Sequence, residues 1–183
     1  GCKCITVRRE MTIMEELSMK NMLKAGDERK VEEEFFQYIV IRLGDEQYGI
    51  DIRYIDNIVR MQHITRVPKV PAYLKGVINL RGEVIPVIDL KAKFGLGGTD
   101  NGQHELIIVN NKDRKIALEV DGVQNIRHIE DEDIVDMPDV AKGDGVRYFN
   151  KVAKAEDRLI IMIEPEFLLT EEESSVVDNL IKG

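Results

Sequence analysis

Two stretches of this chain match each other residue for residue, and no other feature limits the fold as much. A shift of 68 positions, the distance from Gln37 to Glu105, lays Gln37-Tyr38-Ile39-Val40-Ile41 over Glu105-Leu106-Ile107-Ile108-Val109. The same shift sets Tyr48-Gly49-Ile50-Asp51-Ile52 on Ile116-Ala117-Leu118-Glu119-Val120, and Ile55-Asp56-Asn57-Ile58 on Val123-Gln124-Asn125-Ile126. After an insertion of seven residues the shift becomes 75, pairing Tyr73 with Tyr148, Val77 with Val152, Val84-Ile85 with Leu159-Ile160 and Asp89 with Glu164. Apolar falls on apolar and acid on acid. A duplicated unit of this size, made mostly of short strands, predicts a mostly β chain of two small barrels or sandwiches sharing a core. Strand exchange between the copies is left open by the sequence.

Within the first copy, Phe35 to Leu43 and Gln47 to Ile50 read as a hairpin turned by Gly44-Asp45-Glu46. Asp51 is then expected to cap a short helix whose Ile52, Ile55, Ile58 and Val59 share one face. Pro68 and Pro71 interrupt the chain, and a second hairpin runs from Tyr73 through the turn Arg81-Gly82-Glu83 to Ile88. Asp89 to Phe94 reads as one helical turn closed by Gly95, and Gly97 to Gly102 as a flexible link. Residues 1–34, with Cys2, Cys4, Met11, Met14, Met19 and Met22, are expected to be a frayed extension. At the other end, Thr170 and Glu173 form a capping box for a short helix over 170–183. Its Val176, Val177, Leu180 and Ile181 should pack back on the barrels.

Charge narrows the function classes. The 183 residues carry a net −8, distributed as −1 over residues 1–34, +3 over 35–98 and −10 over 99–183. Such a field repels phosphate backbones, so no nucleic-acid partner is expected. No apolar run approaches the roughly 18 residues that span a bilayer, and nothing near the N-terminus resembles a signal peptide, so the expected setting is cytoplasmic without membrane insertion.

Catalytic chemistry finds few candidates. His63, His104 and His128 stand apart from any nucleophile elbow or paired-histidine metal motif. The acidic run from Glu130 to Asp139 fails as a calcium loop: counted from Asp131, the sixth position is Asp136 and the twelfth Lys142. Gly95, Gly97 and Gly98 lack the Lys-Ser/Thr of a phosphate loop, and Cys2 with Cys4 supply only two soft ligands. No enzyme activity, cofactor or metal is expected.

The run Pro71-Ala-Tyr-Leu-Lys-Gly-Val-Ile-Asn-Leu-Arg-Gly-Glu-Val-Ile-Pro-Val-Ile-Asp-Leu-Lys-Ala-Lys-Phe-Gly-Leu96 carries a specific likeness. Physically, Gly76 allows close backbone approach, Arg81-Gly82 makes a hairpin tip, Pro86 favours an edge or bulge, and Asp89 caps the next turn. This run resembles the CheW-like domains of bacterial chemotaxis. The similarity extends over Phe35 to Leu169, including Ile64-Thr65-Arg66-Val67-Pro68 and Ile116 to Val123. The resemblance implies two five-stranded SH3-like barrels around a shared core, with repeats at about 35–98 and 103–169. It also implies a non-enzymatic adaptor that couples chemoreceptor cytoplasmic tips to the histidine kinase CheA through its regulatory domain, within a membrane-associated array.

By the same resemblance, partner contact falls on the segment Ile55-Asp56-Asn57-Ile58, on Gly76 and on Arg81. Val123 and Ile126 join through the duplication, as candidates for an apolar groove that accepts a receptor helix tip. The family usually has glutamate where this chain has Asn57, and glycine where it has Lys151. Two other readings are a detached regulatory domain of a CheA-type kinase and a small-molecule-binding double barrel. A ligand-sized polar pocket between the barrels would favour the latter.

Overall fold

The structure, a computed structural model, describes residues 37–96, 102–137, 149 and 151–182. The expectations for residues 1–34 with their cysteines and methionines, for 97–101, and for Asp139, Lys142 and Tyr148 lie outside the described residues.

The first hairpin forms as its residues dictate. Strands β1 (Gln37–Leu43) and β2 (Glu46–Asp51) meet at a turn in which Gly44 takes a φ of 61°. Asp51 does act as a cap, accepting from the Arg53 backbone N–H, but it caps only the 3-10 turn Ile52–Tyr54. The expected helix is replaced by strand β3 (Ile55–Arg60). Its helix-like spacing comes from a bulge: Ile55 faces Val109 and Asn57 faces Ile108, so Asp56 is an extra residue. That extra residue returns Ile58 to the buried side occupied by Ile55, mimicking the i, i+3 pattern of a helix.

The second hairpin pairs β4 (Leu74–Leu80) with β5 (Glu83–Asp89). Pro86 stands just before the Val87–Asp89 stretch that pairs with a second neighbour, where that ladder has not begun. Asp89 then accepts from Ala92 N–H to cap α1 (Leu90–Phe94), and Gly95 at φ 65° closes it. The second copy supplies β6 (Glu105–Asn111), β7 (Arg114–Val120), β8 (Gly122–His128), β10 (Lys151–Ala155) and β11 (Arg158–Ile163), with a short β9 (Ile134–Asp136) between.

These strands form two sheets, ordered β8-β1-β2-β11-β10-β9 and β3-β6-β7-β5-β4. Under the duplication β6, β7, β8, β10 and β11 correspond to β1 through β5, so both sheets share one order, and the first hairpin of each copy sits in the other copy's sheet. The registers agree as well. Gly49 faces Met162 in the parallel pair β2–β11, and their counterparts Ala117 and Val87 face each other in β7–β5. The β3 bulge has its twin in β8, where Val123 faces Ile41 and Asn125 faces Val40. The expected pair of five-stranded units appears as five strands and six. The sixth, β9, widens into a strand what the first copy makes with a single bridge, Thr65 to Val77.

Packing obeys the same logic. A central cluster draws Ile39, Ile41 and Ile50 from one sheet and Ile88, Ile107 and Leu118 from the other. Each sheet also has a small cluster of its own: Tyr38, Val40, Ala153, Ile160 and Met162 in one, and their counterparts Leu106, Ile108, Ile78, Ile85 and Val87 in the second. The opposing pairs trade volume, since Gly49 leaves room for Met162 where Ala117 meets the smaller Val87.

Helix α2 (Glu171–Lys182) packs back on this body with Val177 fully buried and Val176 and Leu180 partly so, while Ile181 remains exposed. Its capping box closes, Glu173 N–H donating to Thr170 Oγ1 at 3.2 Å and Thr170 N–H to Glu173 Oε1 at 3.0 Å. Glu173 also pairs with Lys93 of α1, and Arg114 Nε lies 2.9 Å from Asp178. Burial alone would raise the Glu173 pKa, but hydrogen bonds from Lys93, Tyr73 and the Thr170 backbone, with the Lys93 charge, hold it at about 2.

Candidate functional site

The residues singled out by sequence fall into two groups. Ile55 and Ile58 on β3 are buried in the central cluster, and Val123 and Ile126 on β8 pack partly buried against that same cluster. Strands β3 and β8 are the corresponding edge strands of the two sheets, so the duplication brings equivalent apolar residues to one shared core. Asn57 does not project freely: its Oδ1 accepts from the Ile58 backbone N–H at 2.8 Å. The adjacent bulge residue Asp56 lies 3.8 Å from Lys115 Nζ.

Gly76 and Arg81 belong to the β4–β5 hairpin, separated from β3 by the two strands β6 and β7 in the sheet order. At Gly76 φ is 150°, and a Cβ there would stand 2.1 Å from the Thr65 carbonyl oxygen. Only glycine lets β4 bond to Thr65, through Thr65 N–H to Val77 O at 2.8 Å and Val77 N–H to Thr65 O at 2.9 Å. Arg81 sits exposed at the hairpin tip with φ 54°, beside Gly82, whose N–H donates to Asn79 Oδ1 at 2.9 Å. Near it Val84 is 41% exposed, and its counterpart Leu159 in the second unit is 63% exposed. Both hairpins thus present one unburied apolar residue at equivalent positions.

Two polar features escaped the sequence reading. The first is an ionic network at the end of β7: Lys75 Nζ is 2.5 Å from buried Glu119 and 3.9 Å from Asp89, while Lys91 Nζ is 3.2 Å from buried Asp121. His104 Nδ1 stands 3.6 Å from Glu119 and 3.5 Å from Asp121, and Gly44 N–H donates to Asp121 Oδ2 at 2.6 Å. This network ties the first hairpin's turn to the opposite sheet. The one available signal was the match of Asp51 with Glu119 across the repeat.

The second is a cavity of about 920 Å³ on the flank of the six-stranded sheet, not between the two units. Tyr38, Asp51, Arg53 and Tyr54 form one wall, and Glu164, Glu166 and Phe167 another. Arg53 grips Asp51 through Nε at 3.0 and 3.1 Å and Nη2 at 2.6 Å, which raises the guanidinium pKa further. Burial, then the nearby Asp51 charge, push the Tyr38 phenol up to about 12, so it stays neutral.

Known proteins share this architecture. The family model described as CheW-like domain matches residues 37–173. The chain is 34% identical over 148 residues to the chemotaxis protein CheW of Klebsiella aerogenes, covering 80% of this chain and 89% of that protein. It is 32% identical over 155 residues to the chemotaxis protein CheW of Treponema pallidum, covering 82% and 91%. The crystal structure of the scaffolding protein TtCheW from Thermoanaerobacter tengcongensis superposes with a TM-score of 0.68 at 36% identity, covering 73% of this chain and 91% of that one.

Proposed function

The chain belongs to the CheW-like domain family, and from that premise we propose that it is a non-enzymatic chemotaxis adaptor joining chemoreceptors to the histidine kinase CheA. The match over residues 37–173 carries this reading, because it takes in both sheets and the start of α2 rather than one motif. One face docks on the regulatory domain of CheA and another on the cytoplasmic tip of a receptor, with the adaptor held in the cytoplasm beside the membrane through those partners. Among the described residues no helix is long and apolar enough to cross a membrane.

The mechanism is geometric. An adaptor that fixes kinase and receptor in one orientation lets a small receptor movement shift the kinase between active and inactive populations. Two separate surfaces suit that role: the edge strand β8, where Val123 and Ile126 are only partly buried while Ile55 and Ile58 lie in the core beneath, and the Arg81 tip with exposed Val84. A body with one shared central cluster and a smaller one in each sheet lies between them and holds their spacing. The test is a pull-down of the full chain with purified CheA and a receptor cytoplasmic fragment, where retention of both is expected. Failure to retain either at high protein concentration overturns the proposal.

A further inference from the structure

We propose that the cavity on the six-stranded sheet binds a small organic cation of polyamine type, its ammonium groups meeting Glu164, Glu166 and Asp131 and its hydrocarbon body lying against Tyr38, Tyr54 and Phe167.

The duplication supplies the argument, because the first unit shows what this position holds when it is filled. There the counterparts of Asp51 and Glu164 are Glu119 and Asp89, and the Lys75 ammonium lies 2.5 Å and 3.9 Å from them. Lys91 completes that arrangement at 3.2 Å from Asp121. At the shift of 75, Lys75 corresponds to Asn150 and Lys91 to Glu166. The second unit has thus kept two carboxylates, lost both lysines and gained an acid. Arg53, which replaces Asp121, is committed to Asp51 by three contacts of 3.1 Å or less. Lys151 alone is left against Asp131, Glu164 and Glu166, none of which has an ion-pair partner among the described residues.

The shape and the lining select an organic ion. A volume of about 920 Å³ falls within the roughly 300–1,000 Å³ of small-molecule sites. Tyrosine and phenylalanine rings attract ammonium groups through their faces. Tyr38 is only 9% exposed, lines the cavity, and has no hydrogen-bond partner among the described residues, leaving its phenol oxygen for a ligand N–H. A bare metal ion is a poor fit, since no three His, Cys, Asp or Glu side chains among the described residues are placed to hold one.

The experiment is calorimetric titration of the purified full chain with spermidine at low salt, with magnesium chloride as the comparison. It reads binding without either protein partner, so its result is separate from that of the adaptor reading. Saturable one-to-one binding is expected, weakened at least tenfold in Glu164→Gln/Glu166→Gln and severalfold in Tyr54→Ala, with melting temperatures unchanged. Absence of saturable binding, equal affinity in the double variant, or full competition by equimolar magnesium overturns the proposal. So does binding of a lysine-containing peptide without binding of spermidine, which would assign the site to a partner's side chain.

Discussion

Arg81 and Glu156 occupy the same position in the two duplicated hairpins and share one left-handed backbone conformation, φ 54° and φ 53°, yet carry opposite charges. The matched φ with inverted charge makes the two tips a useful comparison, although the turns part at the next residue, where Gly82 has φ 83° and its counterpart Asp157 has no positive φ. Arg81→Glu should leave melting unchanged and weaken co-sedimentation with receptor and kinase by about tenfold or more, the scale of an interfacial arginine worth about 1.5–2 kcal/mol. Glu156→Arg should do far less. Equal losses from the two variants would remove the distinction between the tips.

Gly76 acts through the backbone. Its φ of 150° and the 2.1 Å approach a Cβ would make to Thr65 O leave no room for alanine. Gly76→Ala should cost about 3 kcal/mol or more and lower the melting temperature by roughly 10 °C. Lys151 holds the equivalent position as an exposed residue paired with Met162 across the ladder, so Lys151→Ala should change stability by at most about 0.5 kcal/mol. Differential scanning calorimetry on the pair checks both.

The clamp of α2 is pH-dependent in a defined sense. With the Glu173 pKa held at about 2 against an ordinary 4.5, its contribution is complete above pH 4.5 and is lost as pH falls towards 2. Glu173→Gln should therefore melt below the parent at pH 7, by the equivalent of about 1 kcal/mol for a partly screened pair, and the gap should narrow steadily from pH 4.5 towards pH 2. A gap that persists unchanged at pH 2.5 would contradict the pairing with Lys93.

Lys75 is 38% exposed while Glu119 is 4% exposed, so removing the lysine strands a buried carboxylate. Lys75→Met should destabilise by about 2–3 kcal/mol, and Lys75→Met/Glu119→Leu by less than the single change. Urea unfolding of the three proteins measures the coupling. Additive losses would mean the two side chains are independent.

The duplication, both hairpins and the caps at Asp89 and Thr170 were legible because each is local and carries its own residue chemistry. The helix expected after Asp51 was not, since a β-bulge at Asp56 produces the same spacing of Ile55 and Ile58 as a helical turn. Exchange of the first hairpins was invisible for another reason. The continuous apolar runs of β1 and β6 say that both faces are buried, and name no neighbour. The Lys75–Glu119–Asp121 network joins residues far apart in sequence, and the cavity depends on which lysines one copy has lost. Among the site candidates, Ile55, Ile58, Val123 and Ile126 were legible as one apolar set, whereas the role of Asn57 in bonding its own neighbour was not.

The exchanged hairpins also bear on how the molecule carries load. Each sheet contains a β-hairpin whose covalent continuation is, within a few residues, a strand of the other: β2 ends at Asp51 and β3 begins at Ile55. A pull on one sheet is therefore borne by main-chain bonds spliced through its neighbour, with no single seam along which the two could slide. Sliding one sheet past the other would have to stretch these short links, so the splice opposes shear between them.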